Sequence, residues 1–302
     1  MTTPIVIDCD PGHDDAVALL LALASSEVEL VGVTTVSGNQ TLAKTTANAL
    51  RVLELVGRGD VPVSAGADRP IKRDLFVAAY VHGESGLDGP ALPEPQGQPV
   101  PEDAADFIAE QVSASAQPVT LIPTGPLTNV AVFLERHEDA ARKLKRIVLM
   151  GGAIAEGNVT PAAEFNIWAD PEAAATVFRS GLDVTHKALL TPEHGERLRA
   201  AGRTGTFVAE LLEFYSRFHR DVYNFPGSPI HDAVAVAHVL DPELVLTKRR
   251  NVEIELESEL CRGRTVVDLW RRTEREPNAH VGVDIDAGGF LELLLTRLAS
   301  YP

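Results

Sequence analysis

With 302 residues and 45% hydrophobic side chains, the chain can bury the core of one α/β domain, and a disordered polypeptide is excluded. A formal net charge of −16 leaves no Lys and Arg excess for a nucleic-acid polymer, so a small neutral or cationic ligand is expected instead. Two cysteines, no basic-then-apolar leader, and a longest apolar run (Ala16 to Ala24) about half of the roughly 20 residues that cross a bilayer predict a cytoplasmic protein without a membrane partner.

In chain order, strand-like runs fall at Ile5 to Ile7, Leu30 to Val36, Val61 to Ser64, Val119 to Ile122, Ile147 to Met150 and Val184 to His186. Ala- and Leu-rich helical stretches alternate with them at Asp14 to Ser25, Thr41 to Val56, Glu102 to Ala114, Leu127 to Arg136 and Pro171 to Ser180. This rhythm reads as repeated βαβ units, and the short continuous apolar strands suit a parallel sheet covered on both faces. The Pro- and Gly-rich stretch from Gly83 to Pro101 reads as a surface excursion or lid. A long helix is expected from Thr204 to Tyr223 and another near His231. Two or three strands, Val252 to Leu256 among them, then precede a closing helix from Gly289 to Ala299. The expected fold is a single α/β domain over residues 1–302, an open, mostly parallel, Rossmann-like central sheet flanked by helices. Ligands of such sheets bind beyond the carboxyl ends of the strands, where the loops 8–15, 37–40, 123–127 and 151–166 lie.

The first of these loops reads Asp8-Cys-Asp10-Pro-Gly-His-Asp14-Asp15, four carboxylates within eight residues. Two like charges 4 Å apart repel by about 4 kcal/mol at an effective dielectric of 20, so such crowding calls for a cation. An all-oxygen set suits Ca²⁺ or Mg²⁺ rather than zinc, and Ca²⁺ tolerates irregular geometry better. Favourable placement at a helix start accounts for Asp14 and Asp15 but not for all four. Asp8 and Asp10 share a strand face; Cys9, between them, is expected as a plain buried thiol.

The segment Asp10-Pro-Gly-His-Asp14-Asp15-Ala16 resembles the opening signature of the inosine-uridine preferring nucleoside hydrolases. The similarity continues, in order, through Ser37-Gly-Asn39, His82-Gly-Glu-Ser-Gly-Leu87, Thr124-Gly-Pro-Leu-Thr-Asn129, Met150-Gly-Gly152, Asn158, Glu164-Phe165-Asn166 and His231-Asp232. The resemblance implies hydrolysis of the N-glycosidic bond of a ribonucleoside. It implies one Ca²⁺ held by Asp10, Asp15, the Thr124 carbonyl and Asp232, with a water and two ribose hydroxyls completing the shell. Asp14, Asn39, Met150, Asn158, Glu164, Phe165 and Asn166 would line the ribose pocket, and Asp10 would take the proton of the attacking water. His231 and His82 are the candidates to protonate the departing base. The purine-specific branch grips the base with tryptophans, so these histidines point to the pyrimidine or mixed branch. A homodimer or homotetramer is also implied.

Other residues have plainer expectations. Asn129 suits a helix start, and Trp168 a structural role. Tyr215, Phe218, His219 and Tyr223 suit core packing or base contact, with Tyr223 placed at the substrate. Three further functions compete, one of them a nucleoside phosphorylase, which would release the base only with added phosphate. An Asp8-x-Asp10 pair could serve Mg²⁺-dependent phosphoryl transfer, although no basic residue falls in the matching loops. A non-catalytic nucleoside- or calcium-binding protein would keep the pocket without turnover.

Overall fold

A computed structural model describes residues 2–179, 182–185 and 189–301. The strands are β1 (Thr3–Cys9), β2 (Val28–Thr35), β3 (Val63–Ala65), β4 (Thr120–Pro123), β5 (Arg146–Met150), β6 (Leu182–Thr185), β7 (Leu189–Leu190), β8 (Ser228–Pro229), β9 (Val245–Arg250), β10 (Val252–Ile254), β11 (Thr265–Val267) and β12 (Ala279–Ile285). The main sheet runs in the order β3-β2-β1-β4-β5-β6-β12-β9. Every neighbouring pair in it is parallel except β12 with β9, which closes one edge antiparallel.

The order turns back on itself between β1 and β4, the position at which an open parallel sheet leaves a crevice beyond its strand ends. Asp10 follows β1 and Thr124 follows β4, so both loops meet at that crevice. Alternation along β1 sends Ile5, Ile7 and Cys9 to one buried cluster and Val6 to the other. Helices on both faces supply the rest of each cluster, which explains why β1 carries no polar residue between Ile5 and Cys9 except the buried Asp8.

The helix His13–Leu23 is buried along every residue but the last and packs against the helix Asp232–Leu240. Both begin at the crevice, and a helix start carries partial positive charge, so Asp14, Asp15 and Asp232 occupy first turns where carboxylates are favoured. The predicted strands and helices recur with ends shifted by at most two residues; His186 and Ser180 lie outside the described residues. The carboxyl-terminal expectation is corrected: β9, β10, β11 and β12 make four strands where two or three were expected. Lys248, Arg249 and Arg250 rob β9 of an apolar run, and β10 pairs only with β11, outside the main sheet.

Candidate active site

Asp8 is fully buried at the end of β1, where Thr34 Oγ1 and Asn129 Nδ2 donate to its Oδ1 at 2.6 and 2.8 Å. Burial pushes its carboxyl up to about 7 against the pull of those two bonds. Asp10 lies one residue beyond the strand, and the Asn39 backbone N–H donates to its Oδ2 at 2.6 Å. Its Oδ1 is buried and accepts no hydrogen bond. A side chain at position 38 or 125 would put Cβ 2.1 Å from Asp10 Oδ2 or 2.6 Å from Oδ1, so both loops need glycine to wrap this carboxylate.

Asp15 accepts from Gly12 N–H and Asn39 Nδ2 at its Oδ2, 3.0 and 3.1 Å away, and from Thr124 Oγ1 at its Oδ1, 2.8 Å away. Asp14, Asp15 and Asp232 each bring a carboxylate oxygen within 4.8 Å of the others, and all three are buried. Burial first, and then the neighbouring carboxylates, hold Asp10 and Asp232 well above the usual range and push Asp14 up to about 8. A buried, all-oxygen cluster that resists its own ionisation, with an orphaned Asp10 oxygen beside it, fits a hard divalent cation.

Above this floor opens a cavity of about 1120 Å³. Glu164 caps the helix Phe165–Ala169, accepting from Asn166 N–H and, across the loop, from Gly152 N–H at 2.8 Å. Burial raises its carboxyl, and these N–H groups pull it back. Asn166 Nδ2 donates to the Thr124 carbonyl at 2.7 Å and to the Met150 carbonyl at 3.2 Å, tying the ends of β4 and β5 together. Asn158 Oδ1 accepts from Phe165 N–H, and Tyr223 Oη donates to the Asn158 carbonyl. The amides and Glu164 thus form a polar wall that is held in place before any ligand arrives.

The opposite wall is aromatic and imidazole. The His13 backbone N–H donates to His82 Nδ1 at 3.2 Å, and the His13 ring stacks on His82, Phe214 and Tyr215 at centroid distances of 5.3 to 5.4 Å. His13 Nε2 donates to the Asp88 carbonyl at 2.8 Å. Burial, with His13 and His219 nearby, holds the His82 imidazole well below its ordinary value, so the ring is neutral at pH 7.

Cavity, carboxylate floor and polar wall sit in a chain that matches the family described as inosine-uridine preferring nucleoside hydrolase over residues 5–292. The chain belongs to the inosine-uridine preferring nucleoside hydrolase family. The pyrimidine-specific ribonucleoside hydrolases RihA of Citrobacter koseri and Salmonella typhimurium are each 51% identical to it, matching 100% of this chain and 99% and 100% of theirs. Among solved structures, the purine-preferring ribonucleoside hydrolase from Gardnerella vaginalis superposes with a TM-score of 0.92 at 33% identity, covering 99% of each chain.

In this nucleoside hydrolase, every residue expected at the site lines the cavity except Asp10 and Asp15, which lie fully buried under its floor. Asp14, expected against the ribose, stands with Asp15 and Asp232 in the carboxylate group; Asn39 bridges Asp10 to Asp15, and Thr124 reaches Asp15 through its hydroxyl. Asn129, expected as a helix-start residue, does sit in the first turn of Thr128–Arg136, but its side chain serves Asp8, the Thr35 carbonyl and Ala67 N–H. His82 departs from the expectation of a histidine near its ordinary pKa: it is a neutral hydrogen-bonding group. Tyr215, Phe218, His219 and Tyr223 line the cavity, and Tyr215 and His219 are also buried, so core packing and pocket lining coincide there. Trp168 stays outside the cavity, packed edge-on against Phe76 with Arg73 over its ring. His13 was missed: it lies inside the signature, but its partner is 69 residues away.

Proposed function

We propose that this nucleoside hydrolase is a Ca²⁺-dependent enzyme that cleaves the N-glycosidic bond of ribonucleosides, pyrimidine nucleosides foremost, to ribose and free base. The observation that carries this is the buried carboxylate group, with Asp10 beside it, under a cavity walled by Asn39, Asn158, Glu164 and Asn166. The pyrimidine preference follows the printed specificity of the relatives at 51% identity. Asp10, Asp15, Asp232 and the Thr124 carbonyl would hold the cation, with Asp14 at its edge. When bound, Ca²⁺ supplies the positive charge that keeps these carboxylates ionised and a hard centre suited to the two hydroxyls of a cis-diol.

The chain's own groups do the rest. Asp14, Asn39, Glu164 and Asn166 hydrogen-bond the ribose, while Met150, Phe165, Asn158 and Tyr223 shape its pocket and keep bulk water away. Loss of the base builds positive charge on the sugar ring, and the carboxylate and amide oxygens around it favour that charge. Asp10, ionised, accepts the proton of the attacking water. His231, at the start of the helix Asp232–Leu240, donates a proton to the departing base, and neutral His82 donates a hydrogen bond to it. The enzyme works as a cytoplasmic homodimer or homotetramer, and its products suit nucleoside salvage. No helix among the described residues is long and apolar enough to cross a membrane.

The test is a panel of uridine, cytidine, inosine, adenosine and guanosine, with Ca²⁺ and with chelator, with and without added phosphate. Phosphate-independent, Ca²⁺-dependent release of reducing sugar, greatest from uridine or cytidine, is expected. Binding without release, release that requires phosphate, or turnover of phosphate esters alone would each reject the proposal.

A further inference from the structure

The cavity does not end at the polar wall. At about 1120 Å³ it exceeds the roughly 300–1,000 Å³ of an ordinary small-molecule site, and its lining continues past Gly152 to β9, β11, β12 and the segment after β11. This second lobe is assembled from strands that take no part in the proposed nucleoside site. β9 pairs antiparallel with β12, which sets Lys248 opposite Val281. β10 pairs with β11, which sets Val252 opposite Val267, and Arg250 Nε joins the two parts by donating to the Leu269 carbonyl at 2.9 Å.

Three features of the lobe converge on one ligand chemistry. Lys248 and Arg250 lie two residues apart on β9, so they share a face about 7 Å apart along the strand. In a chain of net charge −16, no ion pair joins either of them to a carboxylate among the described residues. Asp268, the carboxylate held down in part by Arg250, accepts from the Arg272 and Thr273 N–H groups at 2.7 Å and does not line the lobe. Trp270 borders the lobe yet is 81% exposed, an apolar face with no ring packed on it among the described residues. Thr265 is the reverse case: at 4% exposure, its Oγ1 is buried without a hydrogen-bond partner. Such a hydroxyl costs stability until a polar atom pairs with it.

We propose that this lobe is a second ligand site, for a small planar organic anion of the aromatic carboxylate class. The ring lies against Trp270 and Val267, the carboxylate bridges Lys248 and Arg250, and a polar ring substituent pairs with Thr265 Oγ1. Inorganic phosphate would leave the apolar surface uncovered, and an uncharged ring would leave the cations unpaired. The site goes beyond nucleoside hydrolysis and does not depend on it.

The experiment is calorimetric titration of the full chain with 4-hydroxybenzoate, its uncharged counterpart 4-hydroxybenzamide, and inorganic phosphate, each with Ca²⁺ and with chelator. One 4-hydroxybenzoate per chain is expected, at least about 10-fold tighter than the other two probes and unaltered by chelator. Lys248→Gln and Trp270→Ala, changes at exposed side chains, should each weaken it by at least about 10-fold with the wild-type unfolding midpoint retained. Benzamide or phosphate bound as tightly as the benzoate, or full affinity in both variants, would overturn the second site. Binding lost on chelation would overturn it too, because the carboxylate would then sit on a cation at the acidic floor.

Discussion

Asn129 Nδ2 donates to Asp8 Oδ1 at 2.8 Å, so a helix that follows β4 holds the carboxylate that ends β1. The same amide nitrogen reaches the Thr35 carbonyl at the end of β2, and the amide oxygen accepts from Ala67 N–H. One side chain thus ties together the carboxyl ends of two neighbouring strands and the loop after β3. Asn129→Leu would leave these buried groups unpaired, and a loss of about 1–3 kcal/mol in unfolding free energy is expected. Thermal or denaturant unfolding of the variant beside the wild type measures it; an unchanged midpoint would show that the amide is not a structural tie.

Asp10 is wrapped by Gly38 and Gly125 and keeps one buried oxygen without a hydrogen bond. Asp10→Ala is expected to lower kcat on uridine by at least about 100-fold, the low end of what a positioned general base contributes. Steady-state kinetics at saturating Ca²⁺ decide this, and a variant with near-wild-type kcat would remove Asp10 from the chemistry.

The carboxylate group predicts how metal binding depends on pH. Asp10 and Asp232 are held well above the usual carboxylate range, and Asp14 is pushed up to about 8, by burial and by one another. Without a cation they retain protons near neutral pH, and a cation must displace them. Ca²⁺ affinity should therefore rise as pH increases from 6 to 8, with net release of protons on binding. Calorimetry in buffers of different ionisation enthalpy reads both. Proton-free binding with a flat pH profile would contradict the linkage.

His82 makes a prediction of opposite origin. Its folded pKa lies well below the ordinary value, so between that value and about 6.5 the unfolded chain binds a proton that the folded chain does not. Stability from this group is fully present above about pH 6.5 and is lost as pH falls, by up to about 1.4 kcal/mol per pH unit. His82→Gln should flatten the acid side of the stability profile relative to wild type. Parallel profiles would show that folding does not lower the pKa of this ring.

Much of this architecture is written locally. The apolar runs of β1, β2, β4 and β5 are continuous because helices cover both faces, and the acidic cluster falls where β1 ends. Thr124, Glu164, Asn166 and Asp232 were legible because each sits in a short motif at a strand or helix end. What was not legible is long-range or compensated. The His13 to His82 bond joins residues far apart in sequence, and no spacing rule marks it. Asn129 has the sequence context of a helix start, while its bonds reach back to the first two strands and the loop after β3. The edge strand β9 hides behind its cationic side chains. The positions of Tyr215 and His219, four apart on one helix face, marked a buried stripe but could not say that the stripe also borders a cavity.

A crystal structure with Ca²⁺ and a non-cleavable ribose mimic bears most directly on the whole account. The cation should sit among Asp10, Asp15, Asp232 and the Thr124 carbonyl and hold two hydroxyls of the sugar, with Asp14, Asn39, Glu164 and Asn166 around the ring. A sugar seated away from these carboxylates, or a cation bound elsewhere while they keep their protons, would contradict it.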